Sequence, residues 1–111
     1  MNYLYFAEGA TVNATGEAMM LPANRFIGAD SVSATTTLIR FSDFDNVANQ
    51  TQAVVTHASG KHKEVIELLA SILKPSPGNR GKFIVVADEE NNIYLDNGNG
   101  AGLNGVVELT V

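Results

Sequence analysis

Short apolar runs alternate with polar, glycine-rich breaks along nearly the whole chain, and one segment departs from that rhythm. Residues 3–6 place Tyr3 and Tyr5 on one face and Leu4 and Phe6 on the other, which predicts a strand that wants cover on both sides. A polar loop over residues 9–16 leads to a strand at 18–21, ended by Pro22 because proline has no N–H for the ladder. Residues 25–27 read as a short third strand, the small polar run 30–35 as a turn or β-arm, and the β-branched and aromatic stretch 36–41 as a strong strand. After a turn over 42–49, residues 52–56 form the next strand. Residues 82–87 are almost continuously apolar from Phe83 to Val86, as in a central strand. A reversal at 88–92 leads into 93–95, and the glycine- and asparagine-rich stretch 96–105 is a loop. Residues 106–111 end the chain as a strand with Val107, Leu109 and Val111 on one face and Glu108 and Thr110 on the other.

The exception is residues 59–74. Val65, Leu68, Leu69 and Ile72 recur at helical spacing, widened by Ile66 and Leu73, so one face of a helix packs on a sheet. Ser59 suits the N-cap, and Lys74 followed by Pro75 supplies a favourable C-terminal charge and then a stop. Together, about seven short strands and one mid-chain helix predict a mostly β (α+β) domain over residues 1–111. Its strands form a small, strongly bent, mostly antiparallel sheet or barrel, and the helix covers an open end or face.

Composition narrows the function classes. With 111 residues, 45% hydrophobic and 17% charged, the chain reads as one globular domain rather than a disordered segment. The absence of cysteine excludes disulfides, thiolate metal sites and a cysteine nucleophile. The apolar stretch 1–6 is too short for a membrane or signal segment and lacks a basic leader. A soluble intracellular product is therefore expected, a virus protein made inside its host cytoplasm included, with no membrane contact. A net charge of −5 argues against a nucleic-acid clamp over the whole surface. Five of the seven basic residues nevertheless fall between positions 61 and 82, which leaves room for a local patch.

Most apparent motifs fail on context. Residues 100–105 match a dinucleotide fingerprint in letters, but only six residues follow, too few for the helix and strand that would complete the unit. Gly60-Lys61 resembles the end of a phosphate loop, yet Val55 and His62 occupy the positions of its first glycine and its magnesium-binding hydroxyl. Asp43-Phe44-Asp45 and Asp88-Glu89-Glu90 do not continue into a calcium loop, and they read as solvated turn acids. His57 and His62 are five apart rather than four, so they do not form a metalloprotease pair. No cofactor, metal site or catalytic constellation is expected.

Two contact surfaces remain. Lys61, His62 and Lys63 sit in the first helical turn, where cations oppose the helix dipole by ~0.3–1 kcal/mol each. Such a cluster is an ordinary solvated turn or, with the free helical amides, an anion site for nucleic-acid phosphates, extended by Arg80 and Lys82 if the intervening loop folds back. Base-stacking aromatics would come from Tyr3, Tyr5, Tyr94 or Phe44. Self-association has its own signal: the doubly apolar strand of Tyr3 and Tyr5, and a terminal edge strand carrying Val107 and Leu109, would pair copies into a homo-oligomeric ring if the rotation closes.

The order of elements also carries a resemblance. Tyr3-Leu4-Tyr5-Phe6, the segment from Leu21-Pro22-Ala23 to Gly28, Thr36-Thr37-Leu38, the stretch from His57 to His62-Lys63-Glu64-Val65, and the run from Phe83 to Asp88 are similar to a family of small ocean-metagenome proteins of cyanophage origin. That resemblance implies a strongly bent Sm-like β-barrel assembled into a ring, with RNA or DNA binding. Ordinary Sm proteins differ in placing their helix before the strands. Asn79-Arg80-Gly81 is faintly similar to the arginine–glycine turn of their second motif, but here it follows the helix, so no RNA-binding residue carries over. The expectation is a non-enzymatic phage protein forming a ring that binds single-stranded RNA or DNA through Lys61, His62, Lys63, Arg80 and Lys82. The alternative is a virion or assembly component acting through protein contacts alone.

Overall fold

A computed structural model describes residues 2–9, 18–42, 51–73 and 82–110. The elements are β1 (Tyr3–Ala7), β2 (Ala18–Pro22), a 3-10 turn (Ala23–Arg25), β3 (Phe26–Ser33), β4 (Thr36–Phe41), β5 (Thr51–Thr56), α1 (His62–Leu73), β6 (Phe83–Asp88), β7 (Ile93–Tyr94) and β8 (Gly105–Thr110). They build two four-stranded sheets, ordered β2-β1-β6-β7 and β3-β4-β5-β8, which do not close into a barrel. The mostly β (α+β) class with one mid-chain helix holds. Pairing is antiparallel throughout except for β1 with β6, which run parallel with a bulge between Tyr5 and Phe6.

Both sheets and the helix share one core. The inner face of the first sheet contributes Leu4, Phe6, Leu21 and Val86; the second contributes Ile39, Phe41, Ala53, Val55, Val106 and Leu109; and α1 adds Val65, Leu68, Leu69 and Ile72. The four central residues of the stripe read from the spacing are therefore buried, whereas Ile66, expected to widen it, is exposed and Leu73 is half-buried. Phe6 meets Phe41 across the sheets edge to face, with ring centroids 6.0 Å apart, a favoured aromatic geometry.

Several local expectations change. The helix begins at His62, not Ser59: the Lys61 carbonyl accepts the first helical bond from Val65 N–H at 3.0 Å, while Ser59 and Gly60 form a turn with Gly60 at φ 73°. Of the turn or β-arm expected for the small polar run, the structure has the arm: β3 runs for eight residues and pairs with β4 as far as Ser33. Val107 and Leu109 do not share a face. A bulge opposite Val54 and Val55 makes Val107 the extra residue, so Val107 is exposed and Leu109 turns into the core.

Asp88 and Glu89 are not solvated turn acids. Asp88 is buried, and its carboxylate accepts Asn91 N–H at 3.3 Å and Asn91 Nδ2–H at 2.9 Å. The Glu89 carboxylate accepts Gly9 N–H at 2.9 Å, just beyond the end of β1, and Val106 N–H at 3.0 Å from β8. Glu8 accepts Leu109 N–H at 3.0 Å further along the same strand. Two carboxylates thus take donors of β8, the terminal strand of its sheet, and tie it to the other sheet. A side chain at Gly105 would displace this seam: a Cβ there would come within 2.7 Å of Thr56 Oγ1 and 2.8 Å of Glu89 Oε2.

Glu89→Ala strips acceptors from two backbone N–H groups, one just beyond β1 and one in β8. An unfolding free energy lower by about 2 kcal/mol is expected in urea titration, at the low end of ~1–3 kcal/mol for each unsatisfied donor because both bonds are only part-buried. Glu89→Gln, which keeps one carbonyl acceptor, should lose less. Equal stability of the alanine variant and the parent would show that the seam adds nothing.

Candidate interaction surfaces

The basic cluster sits where the helix leaves a hairpin tip. Three successive carbonyls of the β3–β4 turn meet the helix leader: Thr35 O accepts His57 N–H at 2.9 Å, Ala34 O accepts Gly60 N–H at 2.8 Å, and Ser33 O accepts His62 Nε2–H at 2.6 Å. His62 therefore acts as a clasp, using a ring nitrogen on protein backbone. Its ring stacks edge to face on His57, with centroids 4.8 Å apart. His57 is 1% exposed. Its Nδ1–H donates to Ala58 O at 2.7 Å, because a carbonyl only accepts, and its Nε2 shares a second hydrogen bond with the Thr37 hydroxyl at 2.8 Å. Both histidines are structural parts of this joint. Lys61 and Lys63 beside them are exposed.

Lys82 does not join that cluster. Its N–H donates to Asn2 Oδ1 at 3.3 Å, and Asn2 Nδ2–H donates to Ile72 O in the last turn of α1 at 2.7 Å. Lys82 is thus anchored near the far end of a 12-residue helix, about 18 Å along the axis at 1.5 Å per residue. Arg80, like Phe44, lies outside the described residues.

What the fold does bring together is the outer face of the first sheet. Register places Met20, Tyr5 and Val85 side by side across β2, β1 and β6, and Pro22, Tyr3 and Phe83 in the neighbouring rung. Their alternate partners Leu4, Phe6 and Leu21 fill the core, so the pleat turns this second set outward. Phe83 is 59% exposed, Met20 49% and Tyr3 37%. The Tyr5 and Phe83 rings lie 5.4 Å apart, tilted, and form one continuous aromatic surface. Among the residues expected at an oligomer contact, Tyr3 and Tyr5 belong to this face. Val107 is exposed elsewhere, on β8, and Leu109 is inside.

One end of the face is acidic. Partial burial raises the Tyr5 phenol above its usual 10.0, and the carboxylates of Asp88 and Glu90 raise it further. Burial likewise raises Tyr94, helped by Glu89 and Asp88, and its hydroxyl is buried without a hydrogen-bond partner among the described residues. Sequence reasoning found Tyr3 and Tyr5 but left Phe83 and Met20 unassigned, because nothing in either strand alone tells which alternate face meets the core.

Among the described residues no group of three or more His, Asp or Glu side chains is placed to hold a metal, and no pocket is found among them. No helix among them is long and apolar enough to cross a membrane. No family model, curated protein or solved structure matches the chain.

Absorbance titration tests the acidic end. Tyr5→Phe and Tyr94→Phe should each remove a component ionising above pH 10, and Glu90→Gln should bring Tyr5 ionisation down. Because the folded phenols ionise later than unfolded ones, their share of stability is intact below pH 10 and is lost as pH rises through the folded values. Tyr5→Phe should therefore soften alkaline unfolding. A Tyr5→Phe curve that overlays the parent after scaling for one fewer tyrosine would place that hydroxyl in ordinary water.

Proposed function

We propose that this chain is a non-enzymatic assembly protein, a component of a virus particle or of its construction, working through protein contacts on the outer face of its first sheet. The observation that carries this reading is the pair of apolar rungs Met20–Tyr5–Val85 and Pro22–Tyr3–Phe83 on paired strands, in which Met20, Tyr3 and Phe83 are exposed and Tyr5, Val85 and Pro22 half-buried. Contiguous apolar surface of this kind marks interaction sites. A protein partner suits it better than a phosphate backbone, since the chain carries a net charge of −5 and two carboxylates influence the Tyr5 end. The exposed Lys61 and Lys63 lie by the opposite end of α1 from Lys82, so aromatic face and helix-start cations do not form one groove. A ring of copies needs two different surfaces on each subunit. Among the described strands, β3 ends its sheet with no further partner and supplies such an edge, whereas β8 donors are taken up by Glu8 and Glu89.

A second reading, single-stranded RNA or DNA binding, rests on the exposure of Lys61 and Lys63 at the start of α1. Fluorescence anisotropy of labelled single-stranded RNA and DNA at low and moderate salt separates the two. The assembly reading expects no binding that depends on Phe83. Salt-sensitive binding lost in Phe83→Ser would overturn it by assigning the face to bases. Binding lost in Lys61→Ala/Lys63→Ala but retained in Phe83→Ser would support the second reading for the helix start and leave the face to protein.

A further inference from the structure

The segment between β7 and β8 carries three Asn–Gly junctions, Asn97–Gly98, Asn99–Gly100 and Asn104–Gly105. At such a junction the glycine nitrogen can close a five-membered ring on the preceding side-chain amide, because glycine puts no Cβ in the way. The fold treats the three junctions differently.

At Asn97 both reacting groups already have the partners that ring closure needs. Gly98 N–H, the nucleophile, donates to Asp96 Oδ1 at 2.8 Å, so a carboxylate stands where the departing proton goes. Asn97 Oδ1, on the carbon to be attacked, accepts Asn99 N–H at 3.0 Å, so a backbone donor meets the oxygen on which negative charge builds. Asp96, Asn97 and Gly98 are all exposed, which admits the water that completes the reaction. The other two junctions are held. Asn99 is half-buried, its Oδ1 accepts Ala101 N–H at 3.2 Å, and its Nδ2–H, on the nitrogen that would have to leave, donates to Glu64 O of α1 at 2.8 Å. Asn104 N–H donates to Thr56 O at 3.0 Å, and Gly105 is buried opposite Thr56 as the first residue of β8, so its backbone is fixed by the sheet.

We propose that Asn97 is a site of self-modification, at which the Gly98 nitrogen cyclises onto the Asn97 side chain with Asp96 as the base. The nitrogen bonds to Asn97 Cγ as its proton passes to Asp96. The Cγ–Nδ2 bond then breaks, and the amide takes that proton back and leaves as ammonia. Water opens the cyclic imide at either of its two carbonyls, giving aspartate or isoaspartate at position 97. One water is consumed, one ammonia is released, and the chain gains one negative charge over its starting −5. Isoaspartate also lengthens the backbone by one carbon ahead of Asn99, whose side chain ties the loop to α1. That product slackens the tie, while Ala101 and Leu103 keep the loop anchored in the core. Each chain converts once and irreversibly, so the modification records its age.

The test is peptide-mapping mass spectrometry, with enzymatic methylation to detect isoaspartate, on the full chain kept folded in warm, mildly alkaline buffer and on the same chain in urea. The three junctions should convert at comparable rates in urea. In the folded chain Asn97 should lead the other two by roughly tenfold or more, since each of those must first open its local hydrogen bonds. It should also convert at least as fast as in urea. Asp96→Asn keeps an acceptor for Gly98 N–H but removes the base. Its urea midpoint should match the parent's, and Asn97 should slow about tenfold, less than the ~10²–10⁴ of an enclosed general base because water competes at an exposed site. Folded-state conversion at Asn97 slower than in urea would show that the turn protects the residue, and would overturn the proposal. An unchanged rate in Asp96→Asn would overturn the role of Asp96.

Discussion

β1 carries apolar side chains on both faces, and a single core can take only one of them. Leu4 and Phe6 go inside, where Phe6 meets Phe41 and joins the sheets and helix in one cluster. Tyr3 and Tyr5 must then point outward, and the neighbours on β2 and β6 follow them because register repeats the choice on each paired strand. The exposed apolar face is thus a consequence of how the core is filled. The tyrosines suit that position, since a ring can lie on apolar neighbours while its hydroxyl reaches water.

An assembly of two open sheets leaves edges that a closed barrel would not have, and this chain handles one of them with carboxylates. Glu8 and Glu89 accept N–H groups of β8 as a neighbouring strand would, but from side chains, so the sheets are joined without continuing the ladder. Glu89 also accepts Gly9 N–H beyond the end of β1. The same turn that closes the seam places Glu90 and Asp88 at one end of the apolar face. One short segment therefore serves the inner architecture and shapes the electrostatics of the outer surface.

The histidines show a similar economy at the opposite corner. His57 is buried with both ring nitrogens bonded, and His62 holds the Ser33 carbonyl from the first turn of α1. The hairpin tip and the helix start are consequently one joint. The cluster of Lys61, His62 and Lys63 divides accordingly, with the imidazole turned to the hairpin and the two lysines left at the surface.

By itself, the order of short apolar and β-branched runs determined the strands at β1, β2, β4, β5, β6, β7 and β8, and the recurrence of Val65, Leu68, Leu69 and Ile72 determined a helix and its buried stripe. These are local consequences of where apolar side chains fall along a strand or helix. Tertiary structure decided the parallel pairing of β1 with β6, the bulge that separates Val107 from Leu109, and the seam formed by Glu89. It also decided that Tyr3 and Tyr5 share their face with Phe83 and Met20, while Lys82 stands far from Lys61. The physical reason is range. Propensity and periodicity act over a few residues, whereas a carboxylate finding an N–H at Val106, or a ring finding Phe83 from β1, depends on which strands meet after the chain has collapsed around one core.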